Sequence, residues 1–392
     1  MITTVIIVVL LTSIGVFALS SHSVKPTFTQ PTKVVEKPNP VPVSVDSSML
    51  FAGNTYWGRY INEWSMASSL KTAYPFSRLS EFHRDQYDAW VTGLECPTVS
   101  GVNLNAAQED ATLEFNCSPD YLPQAAKWFT AVTLANNHTD NQGVAGFAET
   151  QQHLQANGIQ YFGHPDPYQA SDICDVIAVP FKVTYSDKSV KEQPLPVAMC
   201  GYHGVFKIPP ASSIALMQQY APYMPVIAMP HMGVEYQPAP DQLKTDTYRS
   251  MIDSGADMVL GDHPHWIQNT EAYKGKLIVY SMGNFIFDQQ DTAEVTRSAA
   301  INVQMAATAD STTLQAWLKI GESCSIYHDS CLQQAQTQKL TKLPMTFKFG
   351  VVGTNDANKI TKPATAEQQA SILQRLQWTK TMSGLAAPES SL

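Results

Sequence analysis

The sequence has no phosphate loop. Neither Gly-x-Gly-x-x-Gly nor a Walker-type loop occurs in its 392 residues, so a nucleotide-dependent ligase would have no cradle for its cofactor. It has no basic excess either. Lys and Arg number 25 against 34 Asp and Glu, a formal net charge of −9, whereas a general nucleic-acid binder carries a basic face. Nucleic acid is therefore not an expected partner. No Cys-x-x-Cys pair is present, which removes zinc ribbons and thioredoxin-type motifs. No internal repeat points to a solenoid.

Six cysteines are present, and they suit an oxidising compartment. Sequence neighbours pair as Cys96 with Cys117, Cys174 with Cys200 and Cys324 with Cys331. Fifteen connectivities exist for six thiols, and reduced, buried cysteines are the other reading. Ile2 to Leu19 is apolar and almost uncharged, close to the roughly 20 residues that span a bilayer. Residues 1–20 are thus expected to be a membrane anchor or a secretory signal, with Ala18-Leu19-Ser20 suiting cleavage. Residues 21–48, rich in Pro, Val, Lys, Ser and Thr, are expected to form an extended linker. The folded domain is expected over 49–350 and a carboxyl-terminal extension over 351–392.

Within that domain one pattern recurs five times: a short apolar run stops and polar, metal-ligating residue types follow. Met49-Leu50-Phe51-Ala52 leads to Gly53-Asn54, and Trp90-Val91-Thr92 to Gly93-Leu94-Glu95. Ala131-Val132-Thr133-Leu134 leads to Ala135-Asn136-Asn137-His138, and Val226-Ile227-Ala228-Met229 to Pro230-His231. Met258-Val259-Leu260 leads to Gly261-Asp262-His263-Pro264-His265. In open α/β sheets ligands bind at the carboxyl ends of strands, so five such ends predict one convergent site of oxygen and nitrogen ligands. Helices are expected over Gly143 to Asn157, with Val144, Phe147, Ala148 and Leu154 inward, and after Asp241, with Leu243, Tyr248, Met251 and Ile252 inward. Leu277 to Tyr280 reads as a strand. Ala299 to Ala306 and Thr313 to Ile320 read as strands at the sheet's edge, and Pro363 to Ser383 as a polar helix.

Each site candidate has a plain structural alternative. His263-Pro264-His265 is a surface turn or a ligand pair; the proline favours an extended His263 and so rings on opposite sides. The two asparagines before His138 are an Asx turn or an amide ligand beside a general acid. His231 is a structural histidine or a ligand, with Glu235 a supporting carboxylate or a base. Glu95 is a turn residue or a carboxylate bridging two ions.

Taken together, Gly53-Asn54 through Gly58-Arg59, Leu94-Glu95-Cys96-Pro97, Leu134 to His138, His231 to Tyr236, Gly261 to His265 and Tyr280 to Phe285 carry a resemblance. Over Met49 to Asp288 the chain resembles the CapA family of poly-γ-glutamate capsule biosynthesis, within the calcineurin-like metallophosphatase superfamily. The resemblance implies an α/β fold, a four-layer α-β-β-α sandwich of the metallophosphoesterase type, here after an N-terminal hydrophobic helix and a Pro-rich linker. It implies one or two divalent ions (Mn, Fe or Zn). Glu95 would bridge them and Asn137 would be an amide ligand; His231 and His263 would complete one metal position and His265 would serve the other, with Asn54 at the first metal position. His138 would protonate the leaving group, and Arg59 would contact a substrate anion.

The implied function is that of an exported protein, at the extracytoplasmic face of a membrane or secreted. It would act on an anionic polymer or phosphoester, with a capsule-synthesis complex as its setting. One departure stands out: the family has Gly-Asp where this chain has Gly53-Asn54. An amide in place of a carboxylate removes one negative charge, and hard cations favour charged oxygen. One ion position survives, or Asn54 ligates weakly, or catalysis is lost and a polymer-binding component remains.

Overall fold

The strand expected over Met49–Ala52 is the middle of a longer one, β1 (Pro42–Thr55), whose side chains alternate between two cores. Met49 and Phe51 enter one apolar cluster, Leu50 and Ala52 the other, as the two-residue period of a strand requires. The division continues in β2 (Ala89–Leu94), with Val91 in the first cluster and Trp90 in the second, and in β3 (Ala131–Thr133), split between Ala131 and Val132. Strands buried on both faces read as unbroken apolar runs, which is how these three appear in the sequence.

The second half of β1 takes β2, β3 and β4 (Gln160–Phe162) in parallel succession, Met49 opposite Ala89 and Val91 opposite Ala131. The first half belongs to another wing. It pairs antiparallel with β5 (Cys174–Tyr185), which forms a hairpin with β6 (Val190–Gly204). From β6 the ladder runs through parallel β7 (Val226–Met232) and β8 (Met258–Leu260). It ends in the hairpin of β9 (Thr270–Tyr273) and β10 (Lys276–Val279). Strand β11 (Asn284–Ile286) closes against the end of β1. Strand β12 (Arg297–Thr308) runs antiparallel to β1, with β13 (Thr346–Asn355) beyond it. The first apolar cluster joins the wings, taking Phe51, Val91 and Phe162 from one and Val197, Ile227 and Val259 from the other. The chain is thus a mixed, sheet-rich α/β sandwich.

This is a computed structural model that describes residues 39–325, 330–386 and 390–391. The apolar segment Ile2–Leu19 and most of the expected linker lie outside those residues. Among the described residues no helix is long and apolar enough to cross a membrane. Pro40–Leu392 forms one compact unit. Pro42–Ser48, expected in the linker, are strand, with Val45 buried and Ser44–Ser48 laddered to β12. At the other end β13 runs past residue 350, and helix Ala366–Arg375 packs on it with Ile372 buried, so this part of the expected extension belongs to the core.

Helices Gly143–Ala156 and Gln242–Asp253 stand where expected, the second capped by Asp241 on the Lys244 N–H. Their inner faces are corrected: Val144, Ala148 and Leu243 are exposed, and Lys244 is buried with Tyr248, Met251 and Ile252. Thr313–Ile320 is not a strand but part of helix Ser311–Cys324. Asp310 caps it through the Thr312 and Thr313 N–H groups, and Leu314, Trp317, Leu318 and Gly321 recur at helical spacing on its buried face. Strand β12 forms as expected but lies inside the sheet, because β13 adds outside it. The helix expected over Pro363–Ser383 is two, Ala366–Arg375 and Trp378–Met382. The six cysteines form three disulfides between sequence neighbours: Cys96–Cys117, Cys174–Cys200 and Cys324–Cys331.

Candidate functional site

The strand ends bring the expected residues together and bury them. Asn54 lies near the end of β1, Glu95 follows β2, Asn136 to His138 follow β3, His231 lies in β7, and Asp262 to His265 follow β8. Asn54, Glu95, Asn137, His231, His263 and His265 are all buried.

They meet in two linked groups. In the first, His231 Nε2 lies 2.8 Å from Asn137 Oδ1, 3.1 Å from His263 Nδ1 and 3.1 Å from Asn136 Nδ2. The Asn136 amide is oriented by the His138 N–H, which donates to its Oδ1 at 2.9 Å. A ring nitrogen carries one hydrogen or one lone pair, so His231 Nε2 satisfies only one of its three neighbours.

In the second group, His265 Nδ1 lies 2.8 Å from Asn284 Oδ1. The Asn284 Nδ2 donates to Val295 O and Gln289 Oε1, which fixes Oδ1 as the acceptor. Asn54 Nδ2 also stands 3.1 Å from His265 Nδ1; Asn284 Oδ1 is the nearer partner, and with the hydrogen given to it Nε2 is a lone pair. That lone pair faces Glu95 Oε1 at 3.8 Å and Glu235 Oε1 at 4.0 Å. Asn54 links the groups: its Nδ2 donates to Asn284 Oδ1 at 3.2 Å, and its Oδ1 accepts the His263 N–H at 3.4 Å.

The His263-Pro264-His265 turn differs from expectation. His263 is not extended: its φ is 93°, and that of His265 is 60°. The two rings do not diverge; their centroids are 6.0 Å apart in the same cluster. The preference imposed by proline is overridden by hydrogen bonds that fix the turn, Asp262 N–H to Pro230 O and Met282 N–H to Gly261 O among them. Non-glycine residues in this region of φ cost about 1–3 kcal/mol each and persist where the surroundings over-determine them.

Burial drives the Glu95 carboxyl up, and the Asp262 and Glu235 charges push it further. Burial brings His265 down to about 4 and also depresses His231 and His263. His138 is likewise brought down to about 4 by burial. It stacks on Phe115 at 4.0 Å, and its Nδ1 donates to Asn141 Oδ1 at 3.0 Å. The neutral ring offers Nε2 as a base, so it gives up a proton only after taking one. Glu235 lies at the rim with its side chain 43% exposed, its carboxyl raised by burial. Arg59, expected to contact a substrate anion, is occupied by Asp288: Nε and Nη2 each reach a carboxylate oxygen at 2.7 Å. Burial opposes its charge, but that fork keeps it protonated.

Among the described residues no group of three or more His, Cys, Asp or Glu side chains is disposed to hold a metal ion. The single cage expected from Glu95, Asn137, His231, His263 and His265 is divided: Asn137, His231 and His263 touch in one group, Glu95 and His265 face each other in the other. The donor chemistry still suits a cation. Among the described residues Glu95 Oε2 and both Asp262 oxygens are buried without a well-formed hydrogen bond, although the His263 and Asn54 N–H groups face Asp262 and the Asn136 amide faces Glu95, and a histidine lone pair opposes two carboxylates. Asp262 and Asn284 had been read only as parts of motifs. A carboxylate between a strand end and a histidine is a signal for the first; nothing local marks the second, whose role depends on contacts made across the fold.

The family model described as bacterial capsule synthesis protein PGA_cap matches residues 48–182 and 211–289. The chain belongs to this family. Over 259 residues it is 26% identical to "Capsule biosynthesis protein CapA" of Bacillus anthracis, covering 62% of this chain and 60% of that relative. Over 273 residues it is 25% identical to "PGA biosynthesis protein CapA" of Bacillus subtilis (strain 168), covering 65% and 66%. The aligned part thus spans less than two thirds of either relative's length. The PGA_cap match takes in every residue of the two groups above. It leaves out the stretch between 182 and 211, which holds all of β6.

Proposed function

We propose that the chain acts in the synthesis, release or attachment of an anionic extracellular polymer, poly-γ-glutamate or a related capsule polymer. It would do so through a cation-dependent hydrolytic site of phosphoesterase type on a four-layer α-β-β-α sandwich. The names of the two Bacillus relatives support the polymer. The observation that carries the site is His265, with Nδ1–H given to Asn284 and the Nε2 lone pair aimed at Glu95 and Glu235. Metal-ligating histidines are held in this way by their other nitrogen, and a cation turns the opposed lone pair and carboxylates from repulsive to attractive.

Asn137, His231 and His263 would hold one ion, Asn54 and His265 the other, with Glu95 shared. This mixture of imidazole, amide and carboxylate suits Mn, Fe or Zn. A bound ion supplies Lewis acidity toward a phosphoryl or acyl oxygen. His138 would take at Nε2 the proton released by the attacking water and give it to the leaving group, Asn141 and Phe115 holding the ring in place. Glu235 is the carboxylate at the rim, and Arg59 stands behind Phe115, 5.0 Å from its ring. The three formed disulfides suit the extracytoplasmic face. Ile2–Leu19 would anchor or export the chain there, beside a capsule-synthesis complex.

Metal analysis of the purified full chain tests this reading. One or two equivalents of a divalent ion are expected, and failure to retain Mn, Fe or Zn after loading overturns it. Asn54 favours a second reading, a polymer-binding component without turnover, because its neutral amide replaces a charged oxygen. For an enzyme, Asn54→Asp should raise ion content and phosphodiester turnover. Unchanged turnover with polymer binding intact would support the second reading.

A further inference from the structure

His203 is the next-to-last residue of β6 and His231 that of β7, and the two are partners in the parallel ladder. Side chains of ladder partners leave the same face of the sheet, on strands about 4.8 Å apart. The His203 ring therefore leaves the sheet on the same face as His231, one strand away. Its Nδ1 donates to Pro165 O. A carbonyl only accepts, so the hydrogen sits on Nδ1 and Nε2 is a lone pair. Among the described residues Nε2 has no hydrogen-bond partner; it is buried, and the residue is 5% exposed. Phe206 meets the ring edge-on at 5.7 Å.

An empty buried acceptor costs about 1–3 kcal/mol, and no hydrogen bond among the described residues offsets it. At His138 nearby, the Phe115 N–H donates to Asn141 Oδ1, which marks that atom as oxygen, so His138 holds its hydrogen on Nδ1, and the Leu113 carbonyl also lies against its ring. The positive charge of a protonated His203 would disfavour protonation of His138, His231 and His263, in keeping with a place among them.

A phosphate or carboxylate oxygen carries no hydrogen and would be repelled by the Nε2 lone pair, whereas an amide N–H would fill it. We propose that His203 is a ligand-contacting residue whose Nε2 accepts a hydrogen bond from a backbone amide N–H of the bound polymer. This rests on the reading of the site as one for a γ-glutamyl polymer. It makes the amide, rather than the charged side groups alone, a determinant of which polymer binds.

The test is equilibrium binding of a γ-linked glutamate oligomer to the full chain and to two variants. His203→Asn keeps a donor for Pro165 O but has no atom at the Nε2 position; His203→Gln places an acceptor there. Binding should weaken about tenfold in the first variant, the equivalent of roughly 1.4 kcal/mol, and stay within about twofold in the second. Melting temperatures show whether each variant is folded. Should His203→Asn not fold, the nitrogen resonance of His203 Nε2 in the unaltered protein takes its place: a shift on adding oligomer supports the contact, and no shift overturns it. Oligomer binding that is indifferent to His203→Asn overturns the role of His203 alone. An unaltered protein that binds no oligomer overturns the polymer reading and this inference with it.

Discussion

Two side chains show how much a single residue contributes here. Asn284 accepts the hydrogen of His265 Nδ1 while its own amide is fixed by Val295 O and Gln289. Without it the histidine is free to carry its hydrogen on Nε2, where it could no longer ligate. Asn284→Ala should weaken divalent-ion affinity about 10–100-fold, the usual effect of losing such a support, read by calorimetric titration. Lys244 lies fully buried at an inner position of its helix, bonded to Gln268 Oε1 at 3.0 Å. Burial lowers it from 10.5 to about 7, the Asp262 and Asp241 charges opposing. Below about 7 both folded and unfolded chains hold this proton, and the folded chain bears the full cost of the buried charge. Between about 7 and 10.5 only the unfolded chain holds it, so this contribution to stability rises with pH. Urea unfolding at several pH values should show that rise, and Lys244→Met should remove it. From the amino-acid pattern Leu243 was the inner residue at this point, because hydropathy ranks leucine above lysine. The geometry of the helix puts 244, 248, 251 and 252 on one stripe.

At the scale of elements, the strands that feed the site were legible because both of their faces are buried. Runs such as Val226–Met229 and Met258–Leu260 are apolar throughout, and the polar residues that follow them are conspicuous. Strand β6 also has a histidine next to its last residue, but two prolines, Pro194 and Pro196, interrupt its first half and obscure the pattern. The opposite error occurred at Thr313–Ile320, where β-branched and aromatic residues suggested strand and the Asp310 cap decided for helix. That helix lies close to the β5–β6 hairpin. A Cβ on Gly321 would stand 1.8 Å from Pro194 O, an overlap that only a backbone shift relieves. Gly321→Ala should therefore lower stability by about 1–3 kcal/mol, measured by thermal or urea unfolding.

Over the whole molecule, the mixed α/β class and the strand ends that carry Asn54, Glu95, Asn137, His231, His263 and His265 could be read in advance, because each polar motif directly follows an apolar run. What could not be read is how the side chains orient one another. The split into two groups, the left-handed turn at His263 and the engagement of Arg59 by Asp288 depend on residues distant in sequence. The disulfides act at this scale too. Cys96–Cys117 closes a loop with a sequence separation of 21 directly after Glu95. Replacing both cysteines by alanine should cost about 3 kcal/mol by the loop-entropy estimate, seen as an earlier denaturant midpoint.

Strand β1 runs without interruption from Pro42, through ladders to β5, β12 and β2, to Asn54 at the site. A mechanical load applied to the chain just before Pro42 would be carried along this strand. The neighbouring ladders would resist it in shear, many hydrogen bonds at once, rather than opening one by one. The far end of that line of force holds the Asn54 side chain, which joins the two side-chain groups. Tension on the amino-terminal side would thus reach the His263–His265 turn only after those ladders yield.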